Sequence, residues 1–168
     1  MGKLLLAAAA LIAVGLAIGL GVGAWFILGS DDDAGEGPPA VLYFYNPEQD
    51  KDASGNVLCS ANGLVAVERD VPLLRANIST VIALLLKGEL TAAERATGIT
   101  TEFPLPGVAL RDSRLDGGRL TLTFADPENR TSGGSCRVAV LWAQIEATAK
   151  QFPGVTEVRF SPEELFQP

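Results

Sequence analysis

The sequence predicts an α+β fold, a small mixed sheet with two helices packed on one face, preceded by one transmembrane helix. Three observations predict it. Residues 4–28 form an uncharged apolar run. Behind it, segments with strand and helix patterns follow in the order β, β, α, β, β, α, β. The strands are clustered with two interposed helices, which suits an α+β layer arrangement.

The apolar run, LLLAAAALIAVGLAIGLGVGAWFIL, is long enough to cross a bilayer at 1.5 Å rise per residue. Lys3 precedes it and Asp31–Asp33 follow it, so residues 1–3 are expected in the cytoplasm and the C-terminal domain outside. A cleaved signal peptide is the competing reading, with small residues around Gly21–Ala24 as its site. Gly15, Gly19 and Gly23 recur every fourth residue on one helix face, where a second helix would approach closely. Residues 29–39, GSDDDAGEGPP, read as an acidic Gly/Pro linker, since Gly, Pro and like charges cannot build a core. The outer domain is then 40–168, long enough for one core.

Within it, VLYFY (41–45) is β-branched and aromatic and predicts the first strand; LVAVER (64–69) predicts the second. Asn77 is expected to cap a helix whose apolar positions Ile78, Val81, Ile82 and Leu85 share a face, and Gly88 to stop it. TAAE (91–94) has the form of a capping box and predicts a short helical turn ended by Gly98. Residues 108–115 and 119–125 predict a hairpin joined by DGG; in RLTLTF, Leu120, Leu122 and Phe124 face one way. After Cys136 a longer helix is expected, with Val138, Leu141, Trp142, Ile145, Ala149 and Phe152 on its apolar side and Gln144 among the residues elsewhere. Residues 155–160, VTEVRF, predict the last strand.

The chain has no histidine and only two cysteines. Ser–His–Asp and Cys–His catalysis and histidine- or Cys₄-ligated zinc are therefore excluded. The net charge is −7, and the chain has no Lys/Arg cluster, so nucleic acid is a poor partner. The scattered acids read as solvated surface groups rather than a glycosidase pair. No catalytic residue is expected.

Four candidate sites remain. Asp50, Asp52, Ser54 and Asn56 in DKDASGN take positions 1, 3, 5 and 7 of a calcium loop, with Gly55 at position 6. Position 12 is Ala61 instead of the bidentate Glu, and the alternative is a solvated turn. No other cofactor is implied. Cys59 and Cys136 favour one disulfide, given the expected compartment, over two separate thiols. In TSGGSC, Ser132 or Ser135 is expected to cap the second helix, with Gly133 and Gly134 allowing a sharp entry and an anion able to bind there. Tyr43 or Tyr45 would stack on sugars if the domain bound cell-wall polymer, though strand packing accounts for both.

The ordered pieces VLYFY, LVAVERDVP, LLLKGELTAAE, TTEFPLPGVAL, GRLTLTF, SGGS and QFPGVTEVRF resemble the GerMN domain of sporulation and spore-germination proteins, from Val41 to about Phe160. The resemblance implies a small α+β fold similar to ring-building motifs and a noncatalytic module of the cell envelope. It implies partners among envelope proteins or copies of the chain, in binding or assembly. The rival expectation is a module binding peptidoglycan, or a ligand through calcium.

Overall fold

The alternation in AVLYFY turns Ala40, Leu42 and Phe44 inward, and the strand they form, β1 (Ala40–Tyr45), pairs antiparallel with β2 (Leu64–Arg69). The computed structural model describes residues 39–72 and 76–167. The expected span 4–28, with Gly15, Gly19 and Gly23, and residues 29–38 of the acidic linker lie outside the described residues. Among the described residues no helix is long and apolar enough to cross a membrane.

β3 (Ala109–Asp116) and β4 (Arg119–Ala125) form the expected hairpin, with Asp116 opposite Arg119. Gly117 and Gly118 make the two-residue turn at φ 55° and 89°, a backbone that side chains disfavour at both positions. β5 (Glu157–Ser161) adds to β4 in parallel, with Leu120 opposite Val158 and Leu122 opposite Phe160. A parallel neighbour needs a long crossover, and the helix between β4 and β5 supplies it. Leu120, Leu122, Phe124, Val158 and Phe160 line the buried face of this sheet.

α1 (Ile78–Lys87) begins as its sequence indicates, with Asn77 Oδ1 accepting from the Thr80 N–H at 2.9 Å. It ends at Gly88 in the left-handed conformation, φ 64°. A Cβ at Gly88 would overlap the Phe103 carbonyl. α2 (Ala92–Ala96) is held by the reciprocal Thr91–Glu94 capping box. Glu94 also takes a two-pronged ion pair from Arg69 at 2.7 and 2.8 Å, which ties α2 to the end of β2. α3 (Ser135–Lys150) is the longest described helix and buries Val138, Leu141, Ile145 and Ala149.

Two expectations change. The strands form two sheets, β1-β2 and β3-β4-β5, in place of one mixed sheet. The free edge of β1 explains it, because α3 covers that edge with side chains. Gln151 Oε1 accepts from the Val41 N–H at 2.9 Å, Gln151 Nε2 donates to the Val41 carbonyl at 2.6 Å, and Thr148 Oγ1 accepts from the Tyr43 N–H at 3.0 Å. Further along, Tyr45 exchanges backbone hydrogen bonds with Thr100. The edge is thus satisfied without another strand.

The second change concerns the helix face. Gln144, expected away from the apolar side, is fully buried, as is Thr148. Gln144, Thr148 and Gln151 fall at i, i+4 and i+7, a polar stripe beside the apolar one. The chain after β5 also returns to the core. Phe166 is fully buried and meets Phe124 edge-on at 5.5 Å between ring centroids, with Phe160 4.8 Å away.

Candidate functional site

The long β1–β2 connection is organised by Asp50. Tyr45 OH donates to its Oδ2 at 2.5 Å, the Ser60 N–H donates to Oδ2 at 2.6 Å, and Ser60 Oγ donates to Oδ1 at 2.6 Å. Burial alone would push this carboxyl up, but the bonds from Ser60 and Tyr45 outweigh it and hold Asp50 below its ordinary range. Tyr45 is pushed up in turn, by its burial first and by Asp50 second.

This arrangement sets the state of the four residues expected in a calcium loop. Asp50 is buried and spends both oxygens on Tyr45 and Ser60. Asp52 Oδ1 accepts from the Ser54 and Asn56 N–H groups at 2.8 and 2.9 Å, and its Oδ2 from Asn56 Nδ2 at 3.0 Å. The backbone N–H groups of Ser54 and Asn56 and the Asn56 amide nitrogen thus all turn toward Asp52. The loop is a self-satisfied Asx turn. Among the described residues no group of three or more acids or cysteines is placed to hold a metal ion. The sugar-stacking role also fails for Tyr45, whose ring is buried and whose hydroxyl is committed.

The same network positions Cys59. Ser60 anchors the chain on Asp50, and Cys59 beside it is joined by a disulfide to Cys136 in the first turn of α3, with the Cα atoms 5.2 Å apart. The bond spans 77 residues of chain and ties the β1–β2 loop to the helix.

The TSGGSC loop is built differently from the expected cap. Gly134 is the N-cap, with no side chain bonded to the first turn, and Ser135 is already helical. Ser132 Oγ donates away, to the Asn129 carbonyl at 2.8 Å. The reason lies on either side of the loop. Asp126 accepts from the Arg130 and Thr131 N–H groups and from Thr131 Oγ1, which turns the chain before it can reach the helix axis. Arg137 then reaches back past Gly133, donating to the Ser132 and Arg130 carbonyls and to Glu102. A guanidinium therefore fixes the entry that a serine was expected to fix.

Between the start of α3, the disulfide and the segment at Thr100–Glu102 lies a cavity of about 540 Å³. Val57, Pro47, Val140 and Leu141 give it apolar walls, and Gln144 lines it as well. Sequence reasoning missed it, because its residues come from three distant segments and no local motif marks them.

The described residues thus form a small α+β domain with two short sheets and a disulfide-pinned loop. The profile of the Germane family, described as sporulation and spore germination, matches residues 41–164, and the chain belongs to that family. Among solved structures it is similar to the tandem GerMN domains of the sporulation protein GerM from Bacillus subtilis, at 19% identity and a TM-score of 0.48. The alignment covers 80% of this chain and 43% of that one, so the chain spans less than half of the tandem structure. No curated protein matches the chain.

Proposed function

We propose that the chain is a membrane-anchored, extracytoplasmic module that acts without catalysis in the binding or assembly of cell-envelope protein complexes of the sporulation or germination type. The observation that carries this reading is the Cys59–Cys136 disulfide in a chain of the Germane family. Disulfides persist outside the cytoplasmic membrane, and the apolar run 4–28 supplies the means of staying attached to it. Single-pass insertion leaves residues 40–168 facing outward, with the acidic linker as a tether.

Crosslinking of the full chain in intact cells tests the reading. A defined envelope protein, or a second copy of the chain, recovered on the outer domain supports it. Recovery of uncrosslinked monomer alone, or saturable sedimentation of the domain with purified cell wall in place of a protein partner, overturns it. Protease added outside spheroplasts checks the orientation, since residues 40–168 are then digested and a cytoplasmic control is spared.

A further inference from the structure

Asp50 holds both chain neighbours of Cys59. The Leu58 N–H donates to the Asp50 carbonyl at 2.8 Å, and the Ser60 N–H and Oγ donate to the Asp50 carboxylate, each at 2.6 Å. None of these bonds involves the disulfide. Apolar packing does not place the stretch, since Val57 and Leu58 are 40% and 54% exposed. Between its held neighbours Cys59 takes φ 57°, a left-handed backbone that residues with a side chain rarely adopt. Its Cα lies 5.2 Å from that of Cys136, within the spacing an S–S bond needs.

The two sulfurs have unlike surroundings. Cys136 is exposed and lies in the first turn of α3. Gly134 caps that turn without a side chain, so its N–H groups are open to a negatively charged sulfur. Cys59 is half-buried, and its Sγ lies 3.8 Å from the Val57 carbonyl oxygen, whose negative end favours a thiol over a thiolate. The thiolate is the attacking form in disulfide exchange. Accessibility and charge therefore both favour Cys136 as the first to react.

We infer that Cys136 is the sulfur at which an external disulfide oxidant enters this domain, and that Asp50 is the positioning residue that presents Cys59 to complete the bond. The Cys136 thiolate attacks one sulfur of the oxidant; the oxidant's S–S bond breaks, and its other sulfur leaves as a thiolate. Cys59 then loses its proton and attacks Cys136 Sγ, breaking the mixed disulfide and releasing the second oxidant sulfur. Two protein thiols are oxidised, one external disulfide is reduced to two thiols, and the two protons pass by way of water to those thiols. The clamp on Leu58 and Ser60 keeps Cys59 within reach during the second step. The inference goes beyond the binding-module reading and shares with it only the extracytoplasmic location, where such oxidants act.

The test reduces the full chain in lipid nanodiscs, adds oxidised glutathione without oxygen, blocks free thiols with N-ethylmaleimide at intervals and reads each cysteine by mass spectrometry. Cys59→Ser is expected to gain glutathione on Cys136 about tenfold faster than Cys136→Ser gains it on Cys59. In the wild type the mixed disulfide is expected on Cys136 alone, and briefly. Asp50→Ala is expected to take glutathione on Cys136 at the wild-type rate but to close the bond about tenfold more slowly, so that the mixed disulfide accumulates. Glu94→Gln, which loses an ion pair away from this loop, is expected to close it at the wild-type rate. Equal or faster reaction at Cys59, glutathione on Cys59 of the wild type, wild-type closure in Asp50→Ala, or closure as slow in Glu94→Gln as in Asp50→Ala each overturns the inference. The comparison of single-cysteine variants decides the entry sulfur whatever the fold of Asp50→Ala. Protease added outside spheroplasts tests the location separately: a protected domain overturns the shared reading, and the rates on the purified chain decide the order of the two sulfurs.

Discussion

Gln151, at the C-terminal end of α3, closes both backbone hydrogen bonds of Val41, 110 positions earlier in the chain. Its carboxamide has one donor side and one acceptor side, and so completes for β1 what a neighbouring strand would. Replacing it with leucine leaves the Val41 N–H and carbonyl without partners in a half-buried place. Gln151→Leu is expected to destabilise the domain by about 2 kcal/mol, read by thermal or urea melting. Hydrogen exchange at Val41 is expected to quicken more than at Phe44, whose N–H lies on the β2 side.

The disulfide closes a loop of 77 residues. Cys59→Ser or Cys136→Ser is expected to cost about 4 kcal/mol by the chain-entropy account. Reduction of the wild type should cost the same, and the double variant no more than either single one, since all three remove one bond. Melting with and without reductant checks each term.

Calcium at millimolar concentration is expected to leave the melting temperature unchanged. The Asp50 oxygens are held by Tyr45 and Ser60, and those of Asp52 by Ser54 and Asn56, so binding would first require breaking those bonds. A rise in melting temperature with calcium, absent with magnesium, would show that the loop opens to take the ion.

Glu94 gives the domain a defined acid sensitivity. The Arg69 guanidinium, followed by the Thr91 N–H, outweighs burial and lowers its carboxyl from 4.5 to about 2. A carboxyl depressed on folding stabilises fully above its unfolded value, and the contribution is lost as pH falls from about 4.5 towards 2. Glu94→Gln is expected to lower stability at neutral pH and to flatten its fall through that window. Melting temperatures at pH 6, 4 and 2.5 for both proteins measure the difference.

Gly88 ends α1 at φ 64° and leaves no room for a side chain against the Phe103 carbonyl. Gly88→Ala is expected to cost about 2 kcal/mol or more, combining the left-handed penalty with a backbone overlap. A neutral result in urea melting would mean that the 103–104 segment moves aside freely.

Much of the fold was legible because short-range physics writes it. Asn77, Gly88 and the Thr91–Glu94 box act within one helical turn, so their residue types reveal their roles. The DGG turn and the alternation of Leu120, Leu122 and Phe124 likewise set the hairpin register locally. The α3 entry was misread for a reason of reach. Its serines are adjacent to the helix, while the groups that decide the turn, Asp126 and Arg137, act from either side of it. In the loop after β1 the spacing of Asp50, Asp52, Ser54 and Asn56 was visible, but the inward turn of Asp50 toward Tyr45 and Ser60 was not.

By itself the sequence determined the element order, the ends of α1 and the start of α2, the absence of histidine chemistry and the family to which the chain belongs. Only the tertiary structure decided that the strands separate into two sheets, that Gln144, Thr148 and Gln151 face inward, and that Phe166 returns to the core. A helical period of apolar residues marks the side that meets other apolar residues. A polar side chain that meets a strand edge has the same spacing as one that meets water, and only the approach of β1 to α3 tells them apart.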